Sequence, residues 1–195
     1  MSMARTKGYP EALDKKLRDQ RYYREDSNPE FLPNVKVISR TIAHMCFQCG
    51  TCTGSCPSAP RSTFRIRQFM RRVVLGLENE ALTDPDLWLC TTCYSCTDRC
   101  PRDIAPTDVI MAMRNLAFKR DIIPVNFLKT VQAIYSSGHG VPNNDVNRAA
   151  RERLGMTRDP PTTHMYPEYV KGIQKILDHY KLKANADRIV KEREG

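Results

Sequence analysis

Two copies of one eleven-residue string constrain this chain more than any other feature of it. The first runs Cys46-Phe47-Gln48-Cys49-Gly50-Thr51-Cys52-Thr53-Gly54-Ser55-Cys56 and is followed by Pro57. The second runs Cys90-Thr91-Thr92-Cys93-Tyr94-Ser95-Cys96-Thr97-Asp98-Arg99-Cys100 and is followed by Pro101. Each reads C-x2-C-x2-C-x3-C-P, and every cysteine and proline of the second lies 44 positions after its counterpart. All 8 cysteines fall in these two strings. The first residues, Met1-Ser2-Met3-Ala4-Arg5-Thr6-Lys7, contain no apolar h-region, so export is not expected. Paired-up cysteines in an unexported chain argue against a disulfide framework and for metal ligation.

This spacing is that of bacterial-type ferredoxins, which hold two [4Fe–4S] clusters. Structural zinc usually takes two ligand pairs separated by a longer stretch, a pattern these strings fit poorly. Three cysteines spaced by two residues let a tight loop wrap one cubane and supply three of its corners. Gly50, Thr51, Thr92 and Ser95 are small enough to permit that approach. The fourth cysteine, three residues on and followed by proline, turns away and by the ferredoxin rule ligates the other cluster. The expected ligand sets are therefore Cys46, Cys49, Cys52 and Cys100 for one cluster, and Cys90, Cys93, Cys96 and Cys56 for the second. Such cross-ligation ties the two halves together and leaves no open coordination position. Single-electron transfer is then the expected role, with no catalytic residue in the chain.

Clusters also explain an undersized core. Only 41% of the 195 residues are hydrophobic, and metal can staple what apolar burial does not hold. The formal charge of +9 counts cysteines as neutral; two cluster–thiolate units bring it to roughly +5 oxidised and roughly +3 reduced. A moderately basic surface suits an acidic protein partner and does not demand nucleic acid. No apolar run approaches the roughly 20 residues of a spanning helix, so no membrane contact is expected, and the expected location is cytoplasmic.

Helical periodicity dominates the rest. Residues 1–33 read as a charged N-terminal arm, with Leu13 and Leu17 marking a short helix near residues 11–23 as the alternative. Ile38, Ile42 and Met45 share a helical face leading into the first string, with a strand at 35–38 as the alternative. Between the strings, Ile66, Phe69, Met70, Val73, Val74 and Leu77 form one face of a helix. Arg65, Arg67, Arg71 and Arg72 lie on its other side, Ser62 or Thr63 caps it, and Gly76 and Asn79 mark its end. Asp84-Pro85-Asp86 is an N-cap followed by proline, opening the turn that delivers Cys90. Pro106-Thr107-Asp108 starts a further helix with Val109, Ile110, Met113, Leu116 and Ala117 inward; Phe127 to Tyr135 form another, ended by Gly138 and Gly140. A charged helical stretch covers 145–154, and a last helix covers 167–183, with a fraying tail at 185–195. The fold class is thus mainly α: a helical two-[4Fe–4S] ferredoxin-like domain over 34–137, the arm at 1–33, and a loop-rich and helical C-terminal extension over 138–195.

Other candidates are weaker. Phe47, Trp88 and Tyr94 are placed to shield clusters, though ordinary packing explains them as well. His44 stands two residues before Cys46 and reads as a solvated histidine; His139, His164 and His179 show no ligand spacing.

The first string through Pro57, the helix after it and the second string before Pro101 resemble the C subunit, the small iron–sulfur protein, of soluble heterodisulfide reductase from methanogenic archaea. Iron–sulfur domains of fumarate reductase, succinate dehydrogenase and anaerobic glycerol-3-phosphate dehydrogenase share the helical two-block plan. The first two normally add a [2Fe–2S] domain, for which no cysteines remain. The paired CCG motifs of the catalytic heterodisulfide-reducing protein are absent, as is a G-x-G-x-x-G flavin fingerprint. The resemblance implies a cytoplasmic complex: a flavin-containing, electron-bifurcating A subunit, this chain as relay, and a B subunit that reduces the mixed disulfide of coenzymes M and B. A hydrogenase or formate dehydrogenase would feed it. Two other readings stand beside this one. They are a relay in a glycerol-3-phosphate or lactate dehydrogenase system, and a cluster-stabilised nucleic-acid binder using the arginine-rich helix.

Overall fold

The structure, a computed structural model, describes residues 24–194; the short helix considered near residues 11–23 lies outside them. Among the described residues the chain is helical, and no strand forms. It divides into two compact units between Ile122 and Ile123, one helix earlier than the boundary drawn from sequence at 137/138.

The first unit contains α1 (Phe31–Ser39), α2 (Thr51–Gly54), α3 (Ile66–Val74), α4 (Glu78–Thr83), α5 (Ser95–Asp98) and α6 (Pro106–Lys119). Each cysteine string is entered from a 3-10 turn, Ala43–Met45 or Pro85–Leu89, and each contains a four-residue helix, α2 or α5. The 44-residue repeat is therefore structural as well as sequential. Asp84 caps the second turn as expected, its carboxylate accepting from Asp86 N–H at 2.9 Å, and Pro106 opens α6.

One core serves the unit. Phe31, Val35, Phe64, Phe69, Met70, Leu82, Leu87, Ile110 and Met113 are buried in it, each such side chain contributing about 1.5–3 kcal/mol of transfer free energy. Three expectations are corrected here. The inward face of α1 is Phe31 and Val35, so the last described residues of the arm belong to the core; Ile38, Ile42 and Met45 stay at least a third exposed, and 35–38 is helix, not strand. The N-cap of α3 is Arg65 rather than Ser62 or Thr63. Its arginine face is also broken: Arg72 is only 4% exposed and pairs with Asp84 at 2.7 Å.

α3 stops at Val74 because Gly76 turns left-handed, with φ 72, and Leu77 caps α4 instead of extending α3. Asn28 N–H donates to the Gly76 carbonyl at 2.8 Å. A Cβ on Gly76 would lie 2.7 Å from both Asn28 O and Ser27 Oγ. Gly76→Ala therefore combines backbone strain with a clash against main chain, and we expect a loss of about 2 kcal/mol, read as a lowered thermal midpoint by circular dichroism. An unchanged midpoint would show that this contact does not hold the turn.

The second unit contains α7 (Val125–Ser137), α8 (Asp145–Arg153), α9 (Pro167–His179) and α10 (Leu182–Glu194). α7, α9 and α10 pack on one another, with Leu128, Ala186 and Ile189 buried. The supposed fraying tail is thus most of a helix. Lys181, at φ 55, breaks the chain between α9 and α10, and Gln132 ties α7 to α10 by donating to Asp187 at 2.7 Å.

Candidate metal centre

Each cysteine string makes two left-handed turns at equivalent positions. In the first they fall on Gln48 (φ 63) and Gly50 (φ 87), in the second on Thr92 (φ 53) and Tyr94 (φ 62). These reversals curl the loop so that its thiols face one space. Glycine meets this demand without strain; Tyr94 carries a cost of about 1–2 kcal/mol, which the surrounding loop must hold in place. α2 and α5, which follow the turns, pack against each other.

Cys46, Cys49 and Cys52 of the first string line one cavity together with Cys100, the last thiol of the second string. Phe47, Gln48, Arg67, Met70 and Arg102 also line it. Cys56 is not part of this lining. It is near enough to Cys90 for its charge to act on that thiol. Burial pushes the Cys90 thiol up; the Thr92 N–H and the Arg114 guanidinium pull it down, and the neighbouring Cys56 and Cys93 push it up again. Cys52 and Cys96, on α2 and α5, link the two groups: burial drives Cys52 to about 11, Thr53 opposes this, and Cys46 and Cys96 add to it. All 8 thiols are free.

The donor set fits cubane clusters. Thiols framing a cavity, with sulfur-directed N–H groups from Thr92 to Cys90 at 3.4 Å and from Ile104 to Cys100 at 3.5 Å, are what such clusters require of a protein. Thr107 anchors the second loop to α6, its hydroxyl 3.2 Å from Cys96 Sγ and 3.2 Å from that of Thr97. Arg114, on α6, donates twice to the Leu87 carbonyl, at 3.1 and 3.0 Å, and to the Cys90 carbonyl at 2.7 Å. Its guanidinium lies 5.5 Å from the centre of the Trp88 ring. Sequence reading missed Thr107 and Arg114 as site residues; extending the 44-residue repeat into the following helix places Arg114 opposite Met70. Of the other candidates, Phe47 is 60% exposed at the rim of the first cavity and His44 is exposed. His139 and His164 meet across Thr162 Oγ1, at 3.1 and 2.9 Å.

Cys49 and Cys93 are the two exposed thiols. The hydroxyl of Thr51 holds Cys49 below the usual thiol range, and that of Ser95 does the same for Cys93; burial raises Cys52, Cys90 and Cys96. Since the thiolate is the nucleophile, a pulse of iodoacetamide on iron-free chain at neutral pH should alkylate Cys49 and Cys93 first. Raising the pH narrows the gap, because the low-pKa thiols saturate while the buried ones continue to ionise. Peptide mass spectrometry reads the order; uniform labelling at neutral pH would show that the loops do not hold this arrangement without metal.

The 4Fe-4S dicluster domain family matches residues 42–104, which contain both strings. Along the chain there are relatives of similar length. The C subunit of the H(2):CoB-CoM heterodisulfide,ferredoxin reductase of Methanothermobacter marburgensis is 43% identical over 148 residues, 76% of this chain and 80% of that one. The iron-sulfur C subunit of the CoB--CoM heterodisulfide reductase of Methanopyrus kandleri is 39% identical over 168 residues, 82% and 88% of the two chains. The C subunit of the Ferredoxin:CoB-CoM heterodisulfide reductase of Methanosarcina mazei is 37% identical over 134 residues, 68% and 81%. With a helical ferredoxin-like domain that carries two [4Fe–4S] clusters, this chain belongs to the family of heterodisulfide reductase C subunits, the iron–sulfur electron-transfer subunits of that oxidoreductase.

Proposed function

We propose that this chain is the non-catalytic relay of a cytoplasmic heterodisulfide reductase, passing single electrons from a flavin-containing, bifurcating A subunit to a catalytic B subunit that reduces the coenzyme M–coenzyme B disulfide. A hydrogenase or formate dehydrogenase supplies the electrons. Cys46, Cys49, Cys52 and Cys100 hold one cluster; Cys90, Cys93, Cys96 and Cys56 hold the other. The observation that carries the reading is the cavity lined by three thiols of one string and the last thiol of the other. When bound, the clusters supply reversible one-electron transfer. The protein saturates them with thiolates and brings the two groups together through the α2–α5 contact.

Cys49 and Cys93 are the exposed thiols, so their edges are where partners approach closest. The first edge suits an acidic partner. From Phe31 to Leu77 the sequence has seven lysines and arginines and not one carboxylate, and Arg67 and Arg102 line that cavity. The nucleic-acid reading is weakened by the same helix: Arg72 is consumed by Asp84, and Arg65 donates to the carbonyls of Ala59, Ser62 and Phe64. No helix among the described residues is long and apolar enough to cross a membrane.

Anaerobic co-purification tests the assignment. We expect a flavoprotein and a second protein with paired CCG motifs to accompany the chain. Recovery of a glycerol-3-phosphate or lactate dehydrogenase flavoprotein without a CCG protein would replace the reading, and steeply salt-dependent affinity for duplex or single-stranded nucleic acid would revive the third.

A further inference from the structure

The two halves of the repeat differ at one position that faces both sites. Met70 lies 44 residues before Arg114. Met70 is 1% exposed and lines the Cys46 cavity. Arg114 is half-buried beside Cys90, held by the Leu87 and Cys90 carbonyls and covered by Trp88. A thioether in one half is thus replaced by a full positive charge in the other.

Among the described residues that charge has no local counter-ion: no carboxylate pairs with Arg114, and every hydrogen bond it makes there is to a backbone carbonyl. Partial burial of an uncompensated cation is unfavourable unless an anion stands near it. A cluster with four thiolates is such an anion, and it gains one further negative charge on reduction.

We infer that Arg114 makes the Cys90 site the resting place of the electron, setting its cluster at a higher reduction potential than the one on the Cys46 site. The inference rests on the ligand sets of the relay reading and gives the relay a direction, from the Cys46 site towards the Cys90 site. Arg67 and Arg102 stand at the first cavity and act in the same sense there. Both are exposed to solvent, where water and salt screen a charge more strongly than around a half-buried one. Arg114 is also the fixed one, since three hydrogen bonds and a ring define its position.

The test uses intact holoprotein without partners, so failure of the relay reading at its partners leaves the result interpretable. The chain is poised anaerobically with one reducing equivalent, and the electron is located by EPR, with the two signals assigned through Cys49→Ser and Cys93→Ser. We expect at least tenfold more reduced cluster at the Cys90 site, equivalent to 59 mV for a one-electron couple. Arg114→Gln, which keeps an amide donor but not the charge, should lower that ratio tenfold or more. Arg114→Lys should keep it within about threefold of wild type. Added salt should screen the exposed arginines and push the distribution further towards the Cys90 site. An electron resting on the Cys46 site in the wild type overturns the inference, as does a ratio unchanged in Arg114→Gln. If Arg114→Gln fails to load both clusters, the wild-type distribution and its salt dependence decide alone.

Discussion

Replacing Cys56 by alanine should remove the cluster built on Cys90, Cys93 and Cys96 and leave the one on Cys46, Cys49 and Cys52 in place. By sequence Cys56 belongs to the first string, so independent loops would predict the opposite loss. It is buried, 8% exposed, and its negative charge opposes ionisation of Cys90 across the boundary between strings. The cavity of the first site draws its fourth thiol from Cys100. We therefore expect iron to fall from about eight to about four per chain, the magnetic coupling between clusters to vanish, and the surviving EPR signal to be that of the first site. Cys100→Ala should give the complementary protein. Loss of the Cys46 site in Cys56→Ala would dismantle the cross-ligated reading, and about two zincs without sulfide would remove clusters altogether.

The second large effect is expected at Asp84. Its carboxylate takes Arg72 Nη1 at 2.7 Å with one oxygen and the Asp86 N–H at 2.9 Å with the other. The side chains are 4% and 13% exposed, and the Arg72 guanidinium lies 5.3 Å from the centre of the Phe69 ring. Asp84→Ala takes the Asp84 carboxylate away from a buried guanidinium and uncaps the Pro85–Leu89 turn that leads into Cys90. Removing one member of a buried ion pair costs about 3–5 kcal/mol. Arg72→Met should cost less, because the Asp84 carboxylate it leaves behind still accepts the Asp86 N–H and keeps the cap. Anaerobic urea titration of the holoprotein, followed by far-ultraviolet circular dichroism and by cluster absorbance, measures both. If Arg72→Met proved the worse of the two, the pair would be holding the turn through arginine packing and not through charge.

The helices after each string were legible because their burial follows the 3.6-residue period: Ile66, Phe69, Met70 and Val73 are inside, as are Val109, Ile110 and Met113. The Asp84-Pro85 cap and the helix start at Pro106 were legible because proline and a capping carboxylate act locally. α1 misled because Ile38, Ile42 and Met45 keep a helical spacing that the chain does not: Arg40 turns left-handed at φ 57 and ends α1 at Ser39, so Ile42 and Met45 fall outside it. Arg72 misled because an arginine on a helix reads as solvated until a carboxylate twelve residues away closes on it. The end of the chain misled because Ala186 and Ile189 are buried by α7 and α9, which composition does not reveal.

The cysteine strings themselves depended on sequence alone for their content: ligand number, cluster type and the twofold plan are set by short covalent spacings, since a loop of two residues limits what its thiols can reach. How the two strings combine was decided by tertiary structure. Packing of α2 on α5 puts Cys100 at the first cavity and Cys56 near enough to Cys90 for its charge to act there, and the fold of α6 brings Arg114 to one site where Met70 serves the other. Spacing carries no charge or distance between strings; only the fold sets which thiols share a space and which cation stands next to them.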